Sequence, residues 1–138
     1  MNLDAYGFGT GAGHFLLAFG ISCLFLAVFK RVYQVSTPYD ERKLIGEGNV
    51  AAAIALGGAI IGFALPLASA LTQTADPIEF MLWGLLAGVI QIVASLVVRR
   101  FIVRDMVERI ESGNVATAVY LAATSIGIGL LNAASMTY

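Results

Sequence analysis

A chain of 138 residues in which 59% are hydrophobic and only 12% charged has too few polar groups to clothe a water-soluble core, since soluble domains are about one quarter charged. Its formal charge of −1 disfavours nucleic acid as a partner, because phosphates require a basic face. The length suits one domain over residues 1–138, and four membrane spans of about 20 residues with short joints would use nearly all of it.

The first residues, Met1-Asn2-Leu3-Asp4-Ala5-Tyr6, carry no positive charge, and Lys30-Arg31 follow the first apolar run instead of preceding it. A cleaved signal peptide has the opposite order, so the first hydrophobic segment is expected to stay in the protein. Gly7, Gly9, Gly11 and Gly13 alternate ahead of it. No strand precedes them and no acidic residue follows at nucleotide-fold distance, so a dinucleotide loop is not expected, and a flexible entry to the first span is. His14 has no companion ligands and is read as an interfacial residue. Cys23, the single cysteine, allows no internal disulfide and reads as a small packed hydrophobe.

The apolar runs predict spans over Gly13–Tyr33, Asn49–Leu71, Phe80–Phe101 and Asn114–Met136. Lipid offers the backbone no hydrogen-bond partners, so all four should be helices. The expected fold is all-α, a polytopic membrane protein with four transmembrane helices. All eight Lys and Arg fall in two places: Lys30, Arg31, Arg42 and Lys43 after span one, and Arg99, Arg100, Arg104 and Arg109 after span three. Cytoplasmic joints collect such residues. Joints 30–47 and 99–112 are therefore expected in the cytoplasm and both termini outside, with Trp83, Tyr6 and Tyr138 at the outer boundary. Pro77 fits a break at the outer turn.

Both inner joints have helical features. Thr37-Pro38-Tyr39-Asp40 offers a hydroxyl cap, a proline for the first helical position and an acid, which predicts a short helix over Pro38–Glu47. Its Leu44 and Ile45 would meet the membrane surface. Phe101, Ile102, Met106 and Ile110 recur at helical spacing among charged residues, predicting a helix that leaves the bilayer with one apolar side.

Gly48-Asn49-Val50-Ala51-Ala52-Ala53 and Gly113-Asn114-Val115-Ala116-Thr117-Ala118 repeat one phrase at an offset of 65, and Lys30-Arg31 align with Arg99-Arg100 at an offset of 69. Two tandem hairpins inserted in the same sense are expected, repeat 1 over about 13–71 and repeat 2 over about 80–136. Gly suits the left-handed residue that ends one helix, and Asn49 and Asn114 suit the cap of the next. The alternative for these asparagines is contact with an anion or lipid headgroup at a helix N-terminus.

Small residues stripe spans two and four. Gly58 and Gly62 form a Gly-x-x-x-Gly, and Gly127 and Gly129 lie in span four; such residues let helices approach closely, within one chain or between copies. Pro66 removes a backbone bond inside span two and predicts a kink, with Ser69 near enough to answer the freed carbonyl. Gln91, Asn132, Ser69 and Ser125 are polar groups at membrane depth. They serve either as interhelical hydrogen-bonding glue or as a polar path along the bundle axis. No span carries an Asp, Glu, Lys or Arg well inside, which counts against a pump.

Lys43-Leu44-Ile45, Gly48-Asn49 before Ala-rich sequence, Gly62 with Pro66-Leu67-x-Ser69, Trp83-Gly84 with Ile90-Gln91, Gly113-Asn114-x-Ala116 and the ending Asn132-Ala133-Ala134-Ser135-Met136-Thr137-Tyr138 resemble the YjfL-like bacterial inner membrane proteins, the family of domain of unknown function 350. The likeness runs from Lys30 to the C-terminus. Where such proteins often end in Cys-Met-Thr-Trp, this chain has Ser135 and Tyr138, so a thiol there is not essential. The resemblance implies an inner membrane address and four spans, with no activity and no cofactor to carry over. The expected function is a self-associating structural or assembly subunit with a membrane-associated protein partner on the cytoplasmic side. An oligomeric channel or carrier is the alternative. An intramembrane enzyme comes third, because nucleophile, base and metal ligands are missing.

Overall fold

The computed structural model describes residues 7–102 and 105–136. Its elements are α1 (Phe8–Ser36), α2 (Glu41–Gly46), α3 (Val50–Gln73), α4 (Pro77–Val97) with a terminal π turn (Val98–Ile102), α5 (Met106–Glu111) and α6 (Val115–Ala134). Helices α1, α3, α4 and α6 are long and apolar enough to cross a membrane, and no strand occurs among the described residues.

The glycine-rich start is helical, not a flexible entry. Gly7 opens α1 in the left-handed conformation with φ 69°, and Gly11 N–H already donates to Gly7 O at 2.9 Å. Glycine disfavours a helix by about 1 kcal/mol, but an unmade backbone bond in apolar surroundings costs several. The helix wins.

The first short helix begins later than its sequence signals imply. Pro38 disfavours helical geometry in the residue before it, and Thr37 is extended at φ −88°, ψ 129°. Thr37 therefore closes α1, its hydroxyl donating back to Tyr33 O at 2.7 Å. Asp40 caps α2 instead, accepting from Lys43 N at 3.1 Å. At the opposite end of the bundle Asp76 accepts from Ile78 N at 2.8 Å, and Pro77 stands at the first position of α4, where its missing N–H is no loss.

The two Gly-Asn joints share one geometry. Gly48 and Gly113 have φ of 85° and 83°. Gly48 N donates to Ile45 O and Asn49 N to Leu44 O; Gly113 N donates to Ile110 O and Asn114 N to Arg109 O. Asn49 and Asn114 then cap α3 and α6 by accepting from Ala52 N at 3.0 Å and Thr117 N at 3.1 Å. The Asn49 amide also crosses to the other joint, donating to Ile110 O at 2.8 Å.

Helix α3 is the most buried of the four long helices and α1 the least. Phe29, Leu56, Phe63, Leu67 and Phe80 form one core. At the Lys/Arg-rich end Ala51, Ala55, Met106, Ile110 and Leu121 form a second. Met106 and Ile110 belong to that core, so the apolar side of α5 packs against the bundle. Leu44 packs on the same core while Ile45 is exposed. Cys23 is exposed on α1, against the expectation of a packed thiol. Tyr6, Arg104 and Tyr138 lie outside the described residues.

Helices α3 and α6 cross at their small residues. A Cβ at Gly58 would collide with Ala122, one at Gly62 would stand 2.5 Å from Ser125 O, and one at Gly129 would collide with the Gly62 carbonyl. Gly127 has no atom within 4 Å of that position. The close approach on α6 therefore belongs to Gly129 and not to Gly127.

Candidate functional site

Two sets of polar groups lie within this frame. The interior set bridges helices through main-chain carbonyls. Asn132 Nδ2 donates to Ala87 O at 3.1 Å, Gln91 Nε2 to Ser125 O at 2.8 Å and Ser69 Oγ to Ala133 O at 3.1 Å. Ser125 takes part through its carbonyl. Ser69 thus turns to α6 and does not answer Pro66, which is buried inside α3. The carbonyl deprived of an N–H by Pro66 is that of Gly62, four residues earlier, and it faces Gly129. Only Gln91 Oε1 in this interior set is buried without a hydrogen-bond partner.

The second set stands at the Lys/Arg-rich end, where α1, α2 and the π turn meet. Gln91, Ser95 and Arg99 follow at intervals of one turn along α4 and its π turn. Ser95 Oγ donates to Gln91 O at 2.9 Å and Arg99 Nε to Ser95 O at 3.4 Å. Arg99 Nη1 donates to Thr37 Oγ1 at 3.0 Å, and its guanidinium lies over the Tyr33 ring, 5.1 Å from the centroid. The π turn widens the backbone here, as such turns often do at functional positions.

Glu41 is 2% exposed, and neither carboxyl oxygen has a hydrogen-bond partner. Burial pushes its carboxyl up to about 7, against the pull of Thr37, Arg99 and Lys30. Thr37 gives its one proton to Tyr33 O, so it offers Glu41 proximity without a hydrogen bond. Tyr39 is buried beside it with an unpartnered hydroxyl, and burial drives that phenol far above its ordinary range. Arg99 Nη2 is the third unpartnered group of this set. Buried polar atoms nearly always find partners, and a gap of about 10 Å³ between Tyr33, Ser95, Arg99, Thr124 and Ser125 has room for about one water.

Four helices of membrane-crossing length, both Gly-Asn joints and the buried end cluster all fall within residues 7–136. Over that same range the sequence matches the family described as Domain of Unknown Function (DUF350). The chain belongs to that family. The match begins at Gly7, so it takes in the glycine-rich start as well as the part after Lys30. Inner membrane protein YjfL of Escherichia coli (strain K12) is 32% identical over 127 residues, 89% of this chain and 96% of that protein. Transmembrane protein YshE of Bacillus subtilis (strain 168) is 25% identical over 119 residues, 86% of this chain and 89% of that one. No solved structure matches.

For this DUF350 chain the sequence pointed to the interior polar groups and passed over Glu41, Tyr39 and Arg99. Each stands in a charged, polar stretch that reads as solvent-facing. The available signal was Tyr33-x-x-x-Thr37 leading to Tyr39 and Glu41 within one joint, a density of aromatic and hydroxyl groups unusual for a simple linker.

Proposed function

We propose that the protein is a non-catalytic structural subunit of the bacterial inner membrane, a closed four-helix anchor that self-associates and offers its charged end to a membrane-associated protein partner. The observation that supports this over a conducting path is the direction of the interior polar groups. Ser69, Gln91 and Asn132 each donate to a main-chain carbonyl of another helix in the same chain. Such bonds contribute roughly 0.6–2 kcal/mol each and fix helix register, so these groups hold helices to one another. Gly58, Gly62 and Gly129 are likewise engaged within the chain. Self-association therefore falls to outward faces, such as that of α1 with exposed Phe15 and Phe19.

Within this reading the joints 30–47 and 99–112 lie in the cytoplasm, by their Lys and Arg, with both termini outside. The matching geometry of the two Gly-Asn joints supports a hairpin duplicated in the same sense. The Asn49 bridge to Ile110 ties the two joints into one platform.

Reconstitution in liposomes tests the choice between anchor and channel. Wild type is expected to pass no protons, potassium or chloride while cross-linking as an oligomer. Flux that Asn132→Leu abolishes without dispersing the oligomer would replace the anchor with a channel.

A further inference from the structure

The seam between α1 and α4 changes chemistry along its length. Over most of it runs an apolar groove of about 240 Å³. Phe29 and Phe63, stacked with ring centroids 4.4 Å apart, form its floor, and Val28, Val32, Leu85 and Val89 are its exposed walls. Gly84 and Gly88 keep it open on the α4 side; a Cβ at Gly88 would already stand 3.2 Å from the Phe63 ring.

One turn further along both helices charged groups join the apolar lining. Past Val32 and Val93 follows a cavity of about 860 Å³, where Arg99, Arg100, Asp105 and Glu108 stand among Leu96, Met106 and Val107. Arg100, Asp105 and Glu108 are exposed, and Arg99 is half-buried in the wall. Among the described residues, two cations and two carboxylates line this one cavity.

A helix is about 10–12 Å across and would not enter so small a groove, whereas a single hydrocarbon chain would. The charges of both signs in this cavity narrow the headgroup. A purely anionic group would meet Asp105 and Glu108, and a purely cationic one would meet Arg99 and Arg100. Phosphate suits guanidinium forks. A primary ammonium supplies three donors to carboxylates, which a quaternary ammonium lacks.

We propose that this seam binds one zwitterionic aminophospholipid, with an acyl chain in the groove, its phosphate on Arg99 and Arg100 and its ammonium on Asp105 and Glu108. The order of groups along the seam, apolar and then two-signed, is the order along such a lipid. The site does not depend on whether the protein is an anchor or a channel.

The test uses the full chain, delipidated in detergent and examined by native mass spectrometry with dioleoyl phosphatidylethanolamine, phosphatidylcholine and phosphatidylglycerol added in turn. Wild type is expected to retain one phosphatidylethanolamine about tenfold more strongly than either other lipid, the worth of about one charge-assisted contact. Arg100→Gln and Glu108→Gln, both at exposed positions, are expected to erase that preference. Gly88→Leu, which fills the groove, is expected to lower retention of all three lipids. Should Gly88→Leu fail to fold, the two headgroup variants still decide. Equal retention of the three lipids, a preference for phosphatidylglycerol, or a preference that survives both headgroup variants overturns the proposal. So does a dimer that Gly88→Leu disperses, which would give the seam to a second copy.

Discussion

Gly129 lies so close to Gly62 that a Cβ on it would strike the Gly62 carbonyl oxygen. Pro66 lacks the N–H that would otherwise bond that carbonyl, so the oxygen turned toward α6 gives up nothing within α3. Gly129→Ala must push two backbones apart, since no flexible side chain is there to yield. A loss of roughly 1–3 kcal/mol is expected, as for other overpacked sites. Gly127→Ala, with open space around it, is expected to hold or gain stability, because alanine favours a helix by up to about 1 kcal/mol. Thermal unfolding of both variants in one detergent checks the pair, and equal losses would contradict this crossing.

Asn49 and Asn114 cap their helices alike but differ in what else they hold. Each accepts from a main-chain N–H in the first turn, worth about 1 kcal/mol. Asn49 also donates to Ile110 O, adding roughly 0.5–1.5 kcal/mol. Asn49→Ala is therefore expected to destabilise more than Asn114→Ala and to speed amide exchange at the end of α5. Hydrogen exchange over residues 106–114 reads this directly; unchanged α5 protection in Asn49→Ala would remove the bridge from the account.

Arg99 and Arg100 are neighbours with different work. Arg99 uses its fork on Ser95 O and Thr37 Oγ1 and stacks on Tyr33. Lysine cannot reproduce a planar fork, so Arg99→Lys is expected to cost roughly 1.5–3 kcal/mol, the range for bonds to a charged group. Arg100 is exposed, and Arg100→Lys should change stability by less than about 0.5 kcal/mol. Melting temperatures of the two lysine variants separate these roles.

How much of this was legible in the chain depends on which solvent each segment meets. Apolar runs facing lipid leave one option for the backbone, so four helices followed from composition and length. The Gly-Asn phrase carries its own geometry, a left-handed residue and then a cap, and both copies adopt it. The start of α2 was misplaced because Thr37 and Asp40 are both competent caps, and Pro38 decides between them by closing α1. Gly127 and Gly129 read alike as packing residues, and only the facing sides of α3 and α6 single out Gly129. The buried end cluster was missed for a related reason. Charge in a joint suggests exposure, and only tertiary packing beside α1 and the π turn hides Glu41.

That burial makes a pH prediction. Glu41 faces Lys30 and Tyr33 of α1, Thr37 and Tyr39 of the joint, and Arg99 of the π turn. Its carboxyl is raised from an ordinary 4.5 to about 7 by loss of water. The folded state then holds a proton that the unfolded chain releases between those two values, so stability must fall as pH rises through that window. Below about 4.5 the carboxyl is neutral in both states, and above about 7 it is charged in both. Glu41→Gln keeps the shape and removes the charge. Other carboxylates titrate in wild type and variant alike, so the difference between their melting temperatures isolates this group. That difference is expected to be small at the acid end of the window, to grow in favour of the glutamine through neutrality, and to level off beyond it. A glutamine variant less stable than wild type at alkaline pH would mean that the carboxylate is held by Arg99 and Lys30 strongly enough to outweigh its burial.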